Sequence, residues 1–570
     1  MSNKYHALNP DNLIVDQIRK SLNCSRIMAT VLANRGITDA EHANRFLNPS
    51  LSHLAPPFSI KDMEKAVFRI ITAIENNEKI LVFGDYDVDG VTSTVLLYEF
   101  LQSLGASVSY YIPHRAKEGY SLQKQHIHNL AEPKGYRLII TTDCGSSSHE
   151  AIEAAREKSI DVIVTDHHHV PDILPPALAL LNPKRKDCHS GFEHLAGVGV
   201  AFSLLICLRK ELRSRNYWKT SPEPNLKECS DLVALGTVAD QVPLIKDNRI
   251  LVKTGIRHIN RKRRPGLIAL SSVAEISDRI DAENIAFRLA PRLNAPGRLD
   301  HPHLAVKLLL SKNQNEAEHI AQSLNRLNSD RKNIEQEIFL DIRNYLEKDH
   351  LASNQNSIVL ANSTWHEGVI GIVAARIAEL YHCPVALIAE KGGIGKGSAR
   401  SVSGFDLFEG LKTCRNHLET FGGHSMAAGF RVNIDEIPQF KDAFERAVTD
   451  LGMADESEIG DCIPIDCSID FNDITEQLID SLEALEPFGN GNPEPVFQAK
   501  TLSIVSQKIV GSRHRQLVLA QPSVAGKKYL HAIQFNVDST EPLDDSLSTP
   551  VFRLRWNRWN GRKRPQLIIL

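Results

Sequence analysis

What the sequence lacks narrows its class before any motif is read. Its 570 residues include nine cysteines but no CxxC pair. Neither a disulfide framework nor a structural zinc site is expected, and free thiols in a reducing compartment are the default. No uninterrupted apolar span reaches membrane length, and the opening residues, Met1-Ser2-Asn3-Lys4-Tyr5-His6, carry no signal-peptide core. A soluble, cytoplasmic protein without membrane contact is the expectation. Charge of one sign is not in excess either: 66 Lys and Arg face 69 Asp and Glu, a net charge of −3. Any surface for a polyanion must be local. No serine or cysteine sits in a nucleophile elbow, so covalent catalysis finds no support. The 42% hydrophobic content suffices for real cores, and the length suits three or four domains of ~150 residues each.

What is present is concentrated in one stretch, Gly84-Asp85-Tyr86-Asp87-Val88-Asp89-Gly90-Val91-Thr92-Ser93. The apolar run 80–83 precedes it and 95–101 follows, which reads as strand, acidic turn and helix. Three aspartates at alternate positions repel: two like charges ~4 Å apart cost about 4 kcal/mol at an effective dielectric of 20. One aspartate can cap the next helix, but three exceed what a cap uses, and a divalent metal held by oxygen ligands relieves the repulsion.

Further apolar runs at 108–112, 138–142 and 161–165, separated by helical segments, predict a parallel sheet flanked by helices. Ligands gather beyond the carboxyl ends of such strands. There stand Asp85, Asp87 and Asp89 after the first run, Asp143-Cys144-Gly145 after 138–142, and Asp166-His167-His168-His169 after 161–165. Carboxylates with imidazoles suit manganese or magnesium, and the donors suffice for two ions ~3.5–4 Å apart.

Together, GDYDVDGVTS, TTDCGSSS, TDHHHV and the segment ALGTVADQVPL at 234–244 resemble the RecJ family of the DHH phosphoesterase superfamily. The resemblance implies Asp87, Asp89, Asp143, His167 and Asp240 as ligands of two Mn2+ or Mg2+ ions, with Asp143 bridging and Asp85 in the same cluster. It places His168 on the scissile phosphate and leaves His169 unassigned. The segment 288–299, with Pro291-Arg292-Leu293-Asn294-Ala295-Pro296-Gly297-Arg298, resembles another motif of that family. Its prolines and glycine suggest an irregular loop, Arg292 and Asn294 join the substrate contacts, and Arg298 assists catalysis. In the second half, Gly395-Lys396-Gly397-Ser398-Ala399-Arg400-Ser401 and Phe421-Gly422-Gly423-His424-Ser425-Met426-Ala427-Ala428-Gly429 resemble a DHHA1 domain. Ser398 and Arg400 in a glycine-rich loop, with Arg115, then hold a 5′-phosphate, and His424 faces the metals.

The organisation expected is an N-terminal helical segment (1–60), a DHH catalytic domain (61–312), a connecting helix acting as a spacer (313–350), a smaller α/β DHHA1 domain (351–455) and a C-terminal OB-like β-barrel (456–570). In the last, Arg555, Trp556, Arg558 and Trp559 interleave cations with aromatics, the composition of a single-strand groove. The family implied is a single-strand-specific DNA exonuclease of repair and recombination, working 5′→3′ and releasing 5′-mononucleotides. It also implies single-strand-binding protein and a RecQ-type helicase as partners; a groove for one strand suits a monomer. Two alternatives stand beside it: another DHH phosphoesterase acting on short oligonucleotides or cyclic dinucleotides, and a non-catalytic DNA-binding scaffold.

Overall fold

Five strands, Ile80–Gly84 (β1), Val108–Tyr111 (β2), Leu138–Thr142 (β3), Asp161–Thr165 (β4) and Ala179–Leu181 (β5), form a parallel sheet in the order β2-β1-β3-β4-β5. Every residue of β1 and β3 is buried, as Val-, Ile- and Leu-rich strands covered on both faces must be. β5 adds one strand to the four expected. The register aligns Gly84 with Thr142, Thr142 with Thr165, and Thr165 with Leu181. Three neighbouring strands therefore end level, and Asp85, Asp143 and Asp166 leave the sheet side by side. With strands ~4.8 Å apart, the three backbones lie within about 10 Å.

This computed structural model describes residues 5–219, 221–348, 356–452, 462–511, 513–522, 528–537, 545–559 and 561–570. The expected boundaries at 350 and 455 fall outside them. Helices Val88–Ser103 (α1), Gly197–Ser214 (α2) and Ser230–Ala239 (α3) pack beside the sheet in one apolar core with Val82, Ile140 and Ile163. Among the described residues no helix is long and apolar enough to cross a membrane.

Helix Lys246–Ile259 (α4) follows, and then the segment expected as an irregular loop. It is instead a π-helical turn, Ile285–Leu289, running into helix Ala290–Leu299 (α5). Pro291 follows directly on the π-helical turn, and Pro296 lies inside the helix, so neither proline ends it. Gly297 lets the helix lie against the motif loop: a Cβ there would stand 2.8 Å from the Tyr86 carbonyl oxygen.

Gln314–Lys348 is a single helix (α6) of 35 residues, about 50 Å long at 1.5 Å per residue. Ala317, Ala321 and Leu324 join the first core, while Ile338, Ile342 and Leu346 join that of the second lobe. The second lobe is a mixed sheet in which Ile358–Asn362 and Val385–Lys391 run parallel and Ile394–Arg400, Ala427–Asn433 and Thr420–His424 add antiparallel. Helix Ile370–Tyr381 (α7) covers it. The expected glycine-rich loop at 395–401 is thus mostly strand. Gly397 serves packing, since a Cβ would come within 2.1 Å of the Phe430 ring.

The C-terminal strands form a curled eight-stranded sheet that includes Leu502–Val510, His514–Ala520, Tyr529–Gln534, Val551–Trp559 and Arg562–Ile569. The N-terminal helices share its core: Val15, Ile18, Met28 and Leu32 cluster with Phe471, Phe497, Phe552 and Leu567. Strand Tyr5–Ala7 pairs in parallel with Ile463–Ile465. The first ~45 residues therefore close the C-terminal domain from the far end of the chain.

Candidate metal centre and phosphate groove

Each acidic residue at the sheet edge has its own local reason to point inward. Asp87 caps α1, accepting from Gly90 N at 3.0 Å. Asp89, on the first turn of α1, accepts from Gly197 N at 2.6 Å and Val198 N at 2.9 Å at the start of α2. A Cβ on Gly197 would stand 2.7 Å from Asp143 Oδ1, so only glycine admits that approach. Asp143 is left-handed (φ 59°), a conformation costing a non-glycine residue ~1 kcal/mol or more, held here by the surrounding sheet. Asp240 closes the C-terminus of α3.

These side chains converge. His167 Nε2 lies 3.2 Å from Asp143 Oδ1, 3.4 Å from Asp240 Oδ2 and 3.8 Å from Asp89 Oδ2. Ligand atoms of Asp85, Asp87 and Asp143 lie within 4.8 Å of one another, as do those of Asp89, His167 and Asp240. Asp143 thus belongs to one group and borders the other, the position a bridging carboxylate needs.

The electrostatics are those of an anion cluster that calls for a counter-ion. Burial, then Asp87, pushes the Asp89 carboxyl up to about 7, and burial with Asp89 pushes Asp240 up to about 9. Asp85 and Asp143 are raised well above the ordinary range, by burial and then by neighbouring aspartates. Burial and the adjacent His168 lower His167 to about 3, so its imidazole is neutral and free to coordinate. Asp85 Oδ1, Asp143 Oδ1, Asp240 Oδ2 and both ring nitrogens of His167 are buried without a hydrogen-bond partner. Each such atom costs ~1–3 kcal/mol. Five or six hard oxygens with one neutral imidazole fit a pair of divalent cations.

His168 is the exception in charge. Burial pulls its pKa down, but Asp166 Oδ1, 2.8 Å from Nδ1, outweighs this and raises it to about 9. Asp166 is itself held below the usual carboxylate range: burial opposes ionisation, and the His168 hydrogen bond overcomes it. The hydrogen bond to Asp166 thus favours a protonated His168 beside the carboxylate cluster. Tyr120 Oη stands 3.4 Å from the same nitrogen.

Above this floor lies a cationic groove. The Arg298 guanidinium donates to Gly368 O at 3.2 Å. It is lowered to about 9, first by burial and then by Arg115, Arg331 and Arg400. Arg115 stacks 4.9 Å over the Tyr86 ring. Arg400 donates to Ser398 Oγ at 3.2 Å. A Cβ on Gly371, in the first turn of α7, would meet Ser398 Oγ at 2.7 Å and Arg400 Nη2 at 3.2 Å, so helix start, serine and arginine share one pocket. His424, at the exposed end of its strand, is lowered by partial desolvation and then by the positive charges of His168, Lys184 and Arg400.

Several residues expected at the substrate are engaged elsewhere. Arg292 donates to Asn325 Oδ1 at 2.9 Å, Arg288 O at 2.6 Å and Val273 O at 3.4 Å. Its fork is filled by α6 and backbone, leaving a brace where a phosphate contact was expected. Asn294 Oδ1 accepts from Val88 N at 3.1 Å and steadies the motif loop. Trp556, expected to stack on a base, is 7% exposed; its Nε1 donates to Asp480, and Lys563 lies 4.3 Å over its ring. Arg555 grips Glu494 and reaches Glu283 of the catalytic domain at 2.7 Å, while Arg558 pairs with Glu483 at 2.6 Å. Both face acidic partners at the domain seam. Trp559 lies in strand Val551–Trp559, with its side chain outside the described residues.

Two roles were missing from the expected site. Asp166, expected only as a candidate at the end of β4, anchors His168. The amides of Gly197 and Val198 hold Asp89; Ala196-Gly197-Val198-Gly199 offered only small residues ahead of an apolar helix.

Comparison with known proteins agrees with this layout. The DHH family, N-terminal domain, matches residues 79–237, the DHHA1 domain 354–450 and the RecJ OB domain 465–570. The chain is 38% identical to the single-stranded-DNA-specific exonuclease RecJ of Escherichia coli, covering 95% of each. It is 35% identical to that of Bacillus subtilis over 99% of this chain and 70% of the relative. The crystal structure of RecJ from Thermus thermophilus in complex with Mn2+ superposes with a TM-score of 0.82 at 29% identity, covering 100% of this chain and 80% of that one. The chain belongs to the RecJ family of single-stranded-DNA-specific exonucleases.

Proposed function

We propose that this chain is a RecJ-type, metal-dependent exonuclease that degrades single-stranded DNA from the 5′ end and releases 5′-mononucleotides. One observation carries the chemistry: buried, unpartnered oxygens and a neutral imidazole converge at three level strand ends and one helix end. Asp87, Asp89, Asp143, His167 and Asp240, with Asp85, would hold two Mn2+ or Mg2+ ions, which supply Lewis acidity and a water of lowered pKa.

The remaining steps belong to the chain's own side chains. His168, kept cationic by Asp166, contacts a non-bridging oxygen of the scissile phosphate and offsets charge growing there. Arg115 and Arg400, with Ser398 and the start of α7, bind the terminal 5′-phosphate; Arg298, expected from the sequence to assist catalysis, is assigned to the same phosphate because it lies in the field of Arg115 and Arg400. Placing that pocket one nucleotide from the carboxylates fixes the product length. His424 closes the groove opposite His168. Single-strand-binding protein and a RecQ-type helicase fit as partners in repair and recombination, and a single asymmetric groove suits a monomer.

The deciding assay compares 5′- and 3′-labelled single strands with Mn2+, Mg2+ or chelator. Release of labelled mononucleotide from the 5′ label alone, lost with chelator, is expected; early release from the 3′ label would reverse the polarity. A 50-mer cut more slowly than a 3-mer would favour a short-oligonucleotide phosphodiesterase instead.

A further inference from the structure

The long helix α6 is not a plain spacer at its middle. Between its two apolar ends lies a polar waist: Asn325, Asn328, Arg331 and Glu335 at steps of three, three and four, hence on one face. Asn328 is 2% exposed and Arg331 9%. Burying an amide and a guanidinium costs several kcal/mol unless each is bonded, and solvated residues would serve a spacer better.

Here the bonds run in a defined chain. Arg331 donates to Asn328 Oδ1 at 2.8 Å and to Glu335 Oε2 at 2.6 Å. The other oxygen of Glu335 accepts from Arg376 of α7 at 2.9 Å, and the Arg376 guanidinium lies 4.0 Å over the Phe339 ring. Glu335 therefore ties the connecting helix to α7. The start of α7 carries Gly371 against Ser398 and Arg400, and the loop before it carries Gly368, whose carbonyl accepts from Arg298. Arg331 also adds its positive charge to the field at Arg298.

We propose that Arg331 and Glu335 are positioning residues for the 5′-phosphate, fixing α7 between Arg298 and Arg400 so that a phosphorylated end is preferred over a hydroxyl end. The inference rests on the assignment of Arg298, Ser398 and Arg400 to that phosphate. Glu335 has to be a carboxylate because it divides two oxygens between two guanidiniums; an amide offers only one acceptor and sets an N–H against the other cation. Arg331 has to be an arginine because its fork serves Asn328 and Glu335 at once.

The test is steady-state cleavage of single strands ending in 5′-phosphate or 5′-hydroxyl by wild type, E335Q, R331K and R331M, with thermal midpoints for each. E335Q is expected to lower the phosphate-to-hydroxyl ratio of kcat/KM by about tenfold, through KM, the loss of one charge-assisted contact. R331M should lower it at least as much, and R331K should recover part of it. A ratio unchanged in E335Q and R331M, or a fall in kcat tracking the thermal midpoint at constant ratio, overturns the proposal. If wild type itself shows no preference, the phosphate pocket is misassigned and the proposal falls with it.

Discussion

Two clusters of opposite design lie in this molecule. At the edge of the parallel sheet, Asp85, Asp87, Asp89, Asp143 and Asp240 crowd around His167, and several of their buried oxygens have no partner. At the seam between catalytic and C-terminal domains, four carboxylates meet cations: Glu494 and Glu283 meet Arg555, Glu483 meets Arg558, and Glu486 meets Arg279 at 2.6 Å. A cavity of about 780 Å³ lies at that seam, walled in part by Lys253, Arg257 and Leu554, and none of the metal-site residues lines it. The difference teaches how to tell a site from a joint. A joint satisfies its charges internally. A site leaves them unsatisfied, at a cost in stability that a ligand removes.

The contrast breaks most sharply at Asp143. Asp143→Asn should lower kcat by more than ~10³-fold, since the carboxylate common to both halves of the centre is lost. Its thermal midpoint without metal should not fall, because one source of repulsion goes with it. A variant that keeps a tenth of the wild-type rate would refute the assignment.

Trp556→Ala probes the other cluster. It should cost about 3–5 kcal/mol in urea unfolding, as for a large buried aromatic, while the residual folded enzyme keeps its KM for single strands. A raised KM at unchanged stability would return Trp556 to the DNA.

Metal removal should leave the metal cluster losing stability as pH rises, whereas at the seam Lys253, lowered to about 7 chiefly by burial, works in the opposite direction above pH 7. Asp89 and Asp240, raised to about 7 and about 9, keep protons in the folded protein that the unfolded chain has released. His168, raised to about 9, does the same above its ordinary 6.5. Stability carried by raised groups is present at low pH and lost as pH climbs through the folded values. His167, lowered to about 3, is neutral in both states above 6.5 and drops out. The thermal midpoint of chelated protein should therefore fall from pH 6.5 to 9, and Mn2+ should raise it most at the alkaline end. A flat profile with chelator would show that the carboxylates are not buried together.

The smallest effect belongs to the seam. Arg558→Gln should cost only about 1 kcal/mol, because its pair with Glu483 is partly solvent-screened. The salt dependence of single-strand binding should stay put; a slope smaller by about one would mean that Arg558 meets a phosphate.

Parts of this were open to reading from residues alone. Three aspartates on alternate positions after an apolar strand cannot be neutralised by their own segment, so GDYDVDG announces a cation whatever the fold. Asp143 and the histidines after 161–165 follow from the same logic, because a strand end is a local property of a sequence; Asp240, and the choice of His167 among the three histidines, came only with the family resemblance. Arg555 and Trp556 do not yield to it. A run of arginines and tryptophans has the same composition facing DNA or facing Glu494, Glu283 and Asp480, and those partners lie 61, 272 and 76 positions away.

Sequence by itself determined the parallel sheet, the acidic motif, the unbroken helix 314–348 and the chemical class of the centre. All rest on short-range patterns: apolar runs, alternation, and side chains that repel within one turn. Tertiary structure alone decided that the N-terminal helices complete the C-terminal domain, that 290–299 is helix, and that Arg292 and Trp556 are braces. It also decided that Arg331 lies buried at the middle of α6. Those outcomes depend on which distant groups meet when the lobes close, and a charge or a ring takes its role from the partner it finds there.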